Sequence, residues 1–467
     1  METQTLTESQ KVHIETWGCQ MNVADSEKMF AMMKEAKYSM AAQPEEADLI
    51  ILNTCHIREK AKHKVVSHIG RIKELKKTNP NLTIALAGCV AQAEGKKLAI
   101  EIPAIDVIIG PGKIDQLPDL VREHKAKGTK NIALGFEKID YHNERKTKEH
   151  QSVYKNIETS LDGKNEVSRF VTIQQGCDNF CTFCVVPFTR GREISYQPQD
   201  IVNQAQQLVN NGAQEITLLG QNVNSYGQDL IKNNILPLTT NGPFVDLLAT
   251  VANIKDLKRL RFTTSNPHDF TKPLAKLFAE QEKLGKYIHL PVQSGSNQIL
   301  ATMKRKVSVE EYYEKVSWLR KSVPDIAIST DLIVGFPGET DEDFEQTYEL
   351  VKNMNYSFIF AFKYSPRKNT AAIRFKDQID ENIKSSRLQR LNQLQNKITL
   401  ALNEQEVGQI RNVLFLYESK KEPGIYYGRT PHFRLVRAHS ASSIIGKELP
   451  VKINGFNATA LTGELNI

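Results

Sequence analysis

The chain has 467 residues, 40% apolar and 25% charged, with a formal net charge of +7. That length allows two or three domains, each burying an ordinary core, and no apolar run approaches the roughly 18 residues a bilayer span needs. The opening "METQTLTESQ" lacks a basic start followed by an apolar stretch, so no export, no membrane and a cytoplasmic location are expected. Six cysteines are too few for a disulfide scaffold of this size, which leaves thiols or metal ligands as the expectation.

Residues 1–136 form the first expected domain. "KVHIETWG", "ADLIILN", "LTIALAG" and "IDVIIG" are strand-like runs, with the helical "ADSEKMFAMMKEA", a charged helix and "IDQLPDLVREHKAK" among and after them. Apolarity that is continuous rather than alternating marks strands covered on both faces, hence a doubly wound parallel sheet. Cys19 follows the first of these strands, Cys55 the second and Cys89 the third. Ligands bind at the carboxyl edge of such sheets, where three thiols far apart in sequence can converge; three separate buried cysteines are the plainer alternative. Residues 137–167 are charged and poor in aliphatic side chains, which predicts a linker.

From 168 to 400 the alternation resumes. "RFVTIQQGC", "EITLLGQNV", "LKRLRFTTSNP", "YIHLPVQSG", "IAISTDLIVGFPG" and "SFIFAFKYSP" predict six strands separated by helices, an open six-unit β/α barrel with its chemistry on one face. Thr340, with Asp343 three positions on, predicts a capped helix start, and the acidic run 339–345 belongs to that helix rather than to a metal. A long polar helix is expected over 380–407. Residues 401–467 then turn to "VLFLY", "IYYGRT", "RLVRAH" and "ELPVKI", a small all-β barrel. Eight Lys or Arg against four Asp or Glu after position 407, with Tyr426, Tyr427, His432 and Phe433 among them, suit either an RNA surface or an ordinary barrel with core aromatics.

The sharpest chemical signal is "GCDNFCTFC", which places Cys177, Cys181 and Cys184 on one loop after the first strand of the six-unit array. A zinc site normally takes four protein ligands, and no histidine lies between His150 and His268. Three thiolates on a tight loop suit a 4Fe-4S cluster with one iron left open. His13, His63 and His68 lack partners at metal-ligand spacing and are expected to be surface or core residues.

This loop, with Phe183 before its last cysteine, resembles that of the radical S-adenosylmethionine enzymes. "ETWGCQMNVADSEKM", "LNTCHIREKA", "AGCVAQ", "LLGQNVNSYG", "HLPVQSGSNQIL" and "STDLIVGFPGET" extend the resemblance over nearly the whole chain, to the methylthiotransferases of MiaB type with a C-terminal TRAM barrel. The resemblance implies two 4Fe-4S clusters, one on Cys177, Cys181 and Cys184 and an auxiliary one on Cys19, Cys55 and Cys89. It also implies two molecules of S-adenosylmethionine, one a methyl donor and one the source of a 5′-deoxyadenosyl radical. The substrate would be carbon 2 of a prenylated adenine beside the anticodon, reached in the single-stranded loop of a tRNA anticodon stem-loop. An electron donor such as a flavodoxin or ferredoxin and a sulfur or cluster donor protein would be partners. His56 departs from the family pattern, which has a small residue after that cysteine.

Phe183, Arg190 with Gly191, Gln221, Asn222, Ser265, Gln293 and Asp331 are candidates for holding S-adenosylmethionine, with loop capping or an ordinary ion pair as the alternative roles. Two other substrates stay open within the same chemistry, threonylcarbamoyladenosine in tRNA and an aspartate of a ribosomal protein. A reading of a different class is a non-catalytic RNA-binding protein whose cysteines hold zinc.

Overall fold

The computed structural model describes residues 10–56, 59–136 and 166–466, with the backbone alone at 59–63. Most of the expected linker, residues 137–165, lies outside the described residues, as does the His63 side chain. The chain groups into two compact units. One holds residues 10–136 together with 175–178 and 185–204; the other holds 166–174, 179–184 and 205–466.

In the first unit six parallel strands run β1 (Gln10–Trp17), β2 (Tyr38–Met40), β3 (Leu49–Thr54), β4 (Thr83–Gly88), β5 (Val107–Ile109) and β6 (Asn131–Ala133), in the spatial order β2-β1-β3-β4-β5-β6. β3 and β4 are buried at every position, as their unbroken apolar sequence demands. Helices α1 (Gln20–Glu35) and α4 (Leu117–Lys127) cover one face, where Met29, Met33 and Val121 meet Leu49, Ile51, Ala85 and Val107. Helices α2 (Glu59–Ile72) and α3 (Cys89–Glu101) cover the other, with Val65, Ile69 and Leu98 on Ile50, Leu52, Ile84 and Ile108. Each buried Leu, Ile, Val or Met of these two layers contributes about 1.5–3 kcal/mol. The order of strands reverses between β1 and β3, so a crevice for ligands opens beyond their carboxyl ends. β2 and β6, three residues each, are additions to the four strands expected. A four-residue helix, α5 (Val186–Thr189), also belongs to this unit and packs on α3.

The second unit contains all six strands of the expected array. β7 (Ser168–Thr172), β10 (Glu215–Leu219) and β11 (Arg259–Phe262) form a parallel sheet in the order β11-β10-β7; β12 (Tyr287–His289), β13 (Ala327–Val334) and β14 (Phe358–Lys363) form a second, in the order β12-β13-β14. A bridge from Leu260 to Leu284 links their neighbourhoods, giving an open (β/α)6 barrel. The two-residue strands β8 (Gln174–Gln175) and β9 (Ile194–Ser195) flank the cysteine loop in sequence. Along the chain come α6 (Pro198–Asn210), whose residues up to 204 group with the first unit, and α7 (Gln228–Lys232), α8 (Pro243–Ala252), α9 (Lys272–Glu280), α10 (Asn297–Thr302), α11 (Val309–Ser322) and α12 (Asp341–Met354). The expected cap of α12 is present: Asp343 N–H donates to Thr340 Oγ1 at 3.1 Å and Thr340 N–H to Asp343 Oδ2 at 3.0 Å. The long helix is α13 (Glu381–Glu404).

The chain closes with a barrel of β15 (Ile410–Glu418), β16 (Ile425–Arg429), β17 (Leu435–His439), β18 (Glu448–Phe456) and β19 (Leu461–Leu465), ordered β15-β16-β17-β19-β18. Its core is Val413, Phe415, Tyr426, Val436, Val451 and Ile453. Phe433, in the left-handed region at φ 67°, stacks on Tyr287 of β12 at 4.6 Å between ring centroids, and the Arg429 guanidinium lies 4.0 Å from the centre of its ring. Arg261 of β11 also approaches this ring, at 5.0 Å. It pairs with Glu215 of β10 at 2.7 Å and donates to the carbonyls of Thr430 at 2.9 Å and Pro431 at 3.1 Å. Among the described residues no helix is long and apolar enough to cross a membrane.

Candidate cluster and cofactor sites

Cys19, Cys55 and Cys89 follow β1, β3 and β4, three adjacent strands, at the crevice where the strand order reverses. Cys55 N–H donates to Trp17 O at 2.8 Å, and a Cβ placed on Gly18 would lie 2.9 Å from Cys55 Cβ, so the first two thiols sit side by side. Gly88 delivers the third. Its φ is +87°, and a methyl carbon added to it would lie 2.6 Å from Thr54 O, so only glycine fits before Cys89. Cys19 caps the N-terminus of α1 and Cys89 opens α3, so two helix dipoles favour negative charge at the trio. The Cys55 hydrogen bond brings the Cys19 thiol down to about 6, against burial and with help from Arg190. Burial pushes the Cys89 thiol up, and Arg190 opposes that rise.

A buried polar net lies under these thiols. Asn22 Nδ2 donates to Asn53 Oδ1 at 3.1 Å, and Asn53 Nδ2 donates to Asn22 O at 2.8 Å and Ser26 Oγ at 2.9 Å. Beside it Arg190 Nη2 donates to Asp25 Oδ2 at 2.7 Å. Asn22, Asp25 and Asn53 are not among the expected site residues; the signal for the first two is a run of polar side chains on the buried face of α1. His56 is buried next to Cys55. His68 pairs with Glu15 at 2.7 Å and His13 approaches the same carboxylate at 3.7 Å.

On the loop 176–184, Gly176 has φ +78°, and a Cβ there would meet Arg192 O at 2.0 Å. Cys177 N–H donates to Gly191 O at 3.2 Å, and Arg192 clamps Asp178 through Nε at 2.6 Å and Nη2 at 2.9 Å. In the second unit Cys184 N–H closes a turn on Cys181 O at 3.0 Å, and Thr182 is held by Met303 O, Thr302 O and the Ala372 N–H. Arg305 Nη1 reaches Cys181 Sγ at 3.8 Å. Phe183 packs against Ile299, Met303, Phe336, Tyr364 and Ala372, so its ring is part of a core. All six cysteines are free thiols. Among the described residues no three His, Cys, Asp or Glu side chains converge on one ion position. A cube of irons asks for something else, one thiolate to each of three metals, and Cys19, Cys55 and Cys89 at the ends of three adjacent strands fit that demand. Gly176→Ala is expected to cost the loop its cluster, so anaerobic iron analysis should fall from about eight to about four irons per chain, two cubes to one.

Three strand-end residues carry buried polar atoms that have no hydrogen-bond partner among the described residues: Gln174 Oε1, Asn222 Oδ1 and Ser265 Oγ. They follow β7, β10 and β11, which are neighbours in one sheet. Unsatisfied buried groups cost about 1–3 kcal/mol each, and a polar cofactor such as S-adenosylmethionine would satisfy them. Asn222 Nδ2 is already held by Asp269 at 2.7 Å. Gln221 stands beside Asn222 after β10. Gln293 sits at φ +81°, its backbone bridging to β13, and Asp331 faces His289 at 3.4 Å. On the same face of that sheet Phe360 and Phe362 are 45% and 43% exposed, an aromatic row that the apolar run of β14 conceals in the sequence. Of the terminal aromatics, Tyr426 is in the barrel core, Phe433 is stacked on Tyr287, and His432 pairs with Asp325 at 2.9 Å. Tyr427 alone of the four keeps to the surface pair it makes with Tyr417, which is 49% exposed.

A family model described as Uncharacterized protein family UPF0004 matches residues 11–110, and one for the Radical SAM superfamily matches 171–351. The chain is 42% identical over 460 residues to the tRNA-2-methylthio-N(6)-dimethylallyladenosine synthase of Geotalea uraniireducens (strain Rf4), covering 98% of this chain and 100% of that one. It is 44% identical to the protein of the same name from Clostridium botulinum (strain Langeland / NCTC 10281 / Type F), covering 97% and 96%. Among solved structures, the radical S-adenosylmethionine methyltransferase TsrM from Kitasatospora setae, with cobalamin and a [4Fe-4S] cluster bound, matches with a TM-score of 0.54 at 12% identity, over 90% of this chain and 77% of that one. That last likeness concerns the fold alone.

Proposed function

Because this chain belongs to the family of tRNA-2-methylthio-N(6)-dimethylallyladenosine synthases, we propose that it attaches a methylthio group to carbon 2 of N(6)-dimethylallyladenosine next to the tRNA anticodon. The observation that carries the reading is the placement of Cys19, Cys55 and Cys89 at the ends of the adjacent strands β1, β3 and β4, beside the C-x3-C-x2-C spacing of Cys177, Cys181 and Cys184. When bound, two 4Fe-4S clusters and S-adenosylmethionine supply the sulfur, the methyl group and the hydrogen-abstracting radical.

The chain's own residues bind and orient. Cys177, Cys181 and Cys184 would anchor one cluster and Cys19, Cys55 and Cys89 the other. Ser265 and Asn222, with Gln174 beside them, offer the adenosyl and methionine groups the hydrogen bonds these side chains lack; Gln221, Gln293 and Asp331 stand at neighbouring strand ends. Phe183 supports the loop from below through its core contacts. The terminal barrel would meet the RNA through its basic residues and the Tyr417 and Tyr427 pair. A low-potential donor such as a flavodoxin or ferredoxin, a sulfur or cluster donor protein, and the cytoplasm complete the proposal.

Mass spectrometry of tRNA nucleosides from cells lacking the protein tests it. Dimethylallyladenosine without its methylthio group should accumulate. Unchanged methylthio nucleoside, or loss confined to a threonylcarbamoyl derivative, would overturn the substrate assignment.

A further inference from the structure

Arg190 lies six positions after Cys184 in the chain, yet its guanidinium belongs to the N-terminal unit and to the other cysteine trio. It is 3% exposed and bonded to Asp25, itself 8% exposed, at 2.7 Å. Asp25 lies on α1, which Cys19 caps, and α5, which ends one residue before Arg190, packs on α3, which Cys89 opens, so the pair sits against the two helices that carry these thiols and the Arg190 charge acts on both. Burial works against the charge on Arg190, while Asp25, Cys89 and Cys19 hold it protonated. An arginine suits this place better than a lysine, because its delocalised charge is weakly hydrated and stays protonated when buried beside a carboxylate.

The charge balance gives this pair a task. Three thiolates outweigh the positive charge of an oxidised four-iron core. The N-termini of α1 and α3 offset part of it. We propose that Arg190, clamped by Asp25, is a positioning residue that sets the electrostatic field at the Cys19, Cys55 and Cys89 site and would stabilise the reduced form of a cluster held there. This rests on the reading that the three thiols hold a four-iron cluster.

The two partners of the pair carry opposite charges, so their removal must move the cluster's reduction potential in opposite directions. A role in packing alone would move both the same way or neither. The experiment uses the full chain with Cys177, Cys181 and Cys184 all replaced by alanine, so that a single cluster remains, and titrates it with dithionite under electron paramagnetic resonance. Arg190→Gln should lower the midpoint potential, Asp25→Asn should raise it, and Arg190→Lys should stay near the unsubstituted value. Shifts of one sign, or none, would overturn the proposal while leaving the cluster reading intact. Should Arg190→Gln fail to retain iron, the sign is read from the other two: a rise for Asp25→Asn with Arg190→Lys unmoved supports the assignment, and no rise overturns it. A chain with an intact auxiliary trio that binds no four-iron cluster would overturn the reading and this proposal together.

Discussion

Cys177→Ala is expected to reduce 5′-deoxyadenosine formation to the level of a protein-free control, whereas Cys19→Ala leaves that cleavage partly intact and stops methylthio transfer. The asymmetry follows from the places of the two trios, Cys19, Cys55 and Cys89 at the ends of three adjacent strands and Cys177, Cys181 and Cys184 on the one loop 176–184. Cys177 is pinned between Gly176, which tolerates no side chain, and the Arg192 clamp on Asp178. Cys19 lies in a different net, with Asn22, Cys55 and Arg190, and its loss leaves the loop 176–184 untouched. Chromatography of 5′-deoxyadenosine after dithionite reduction, beside mass spectrometry of the RNA product, separates the two outputs. Equal loss of both in both variants would contradict the division.

Arg261→Ala should destabilise the second unit by about 3 kcal/mol, the low end of the cost of breaking a buried ion pair, because Arg259 and Ser168 still compensate the Glu215 carboxylate in part. Glu215 is 2% exposed and is held by Arg261 at 2.7 Å and Ser168 at 2.8 Å, with Arg259 at 3.7 Å. The substitution also removes donors to the Thr430 and Pro431 carbonyls. Urea unfolding followed by near-ultraviolet circular dichroism gives the shift in midpoint. Exchanging both partners, Glu215→Gln with Arg261→Met, should recover much of the loss. The pH dependence has a definite sign. Burial raises the Glu215 carboxyl, but Arg261 and Arg259 outweigh it and hold the group below the usual carboxylate range. A depressed folded value gives stability that is complete above the unfolded pKa and is lost as pH falls through the folded one. The deficit of Arg261→Ala should therefore be full near neutrality and narrow in acid.

Elements with a strong period or an unbroken apolar run can be read from sequence: β3, β4 and all six strands of the open barrel are where "LIILN", "IALAG" and their counterparts put them. The cap at Thr340 is legible because its two residues are local partners. β2, β6 and β19 are not, since three residues at a sheet edge show no period and "LTGEL" is broken by glycine. The cysteine positions are plain, but Arg190 and Asp25 are 165 residues apart and nothing local links them. Basic and aromatic residues near the end of the chain suggest base stacking equally for four side chains. Only three-dimensional packing shows that Phe433 and His432 face inward to Tyr287 and Asp325.

Phe433 holds a backbone conformation that bulky residues rarely adopt, and it does so because Tyr287, Arg261 and Arg429 surround its ring. The terminal barrel is thus no detachable module. Grafting it onto another enzyme, or exchanging it for a foreign RNA-binding domain, would transplant a plug without its socket and strand two arginines and a glutamate at the cut. A working chimera must carry Glu215, Arg259, Arg261 and Tyr287 along with the barrel they serve.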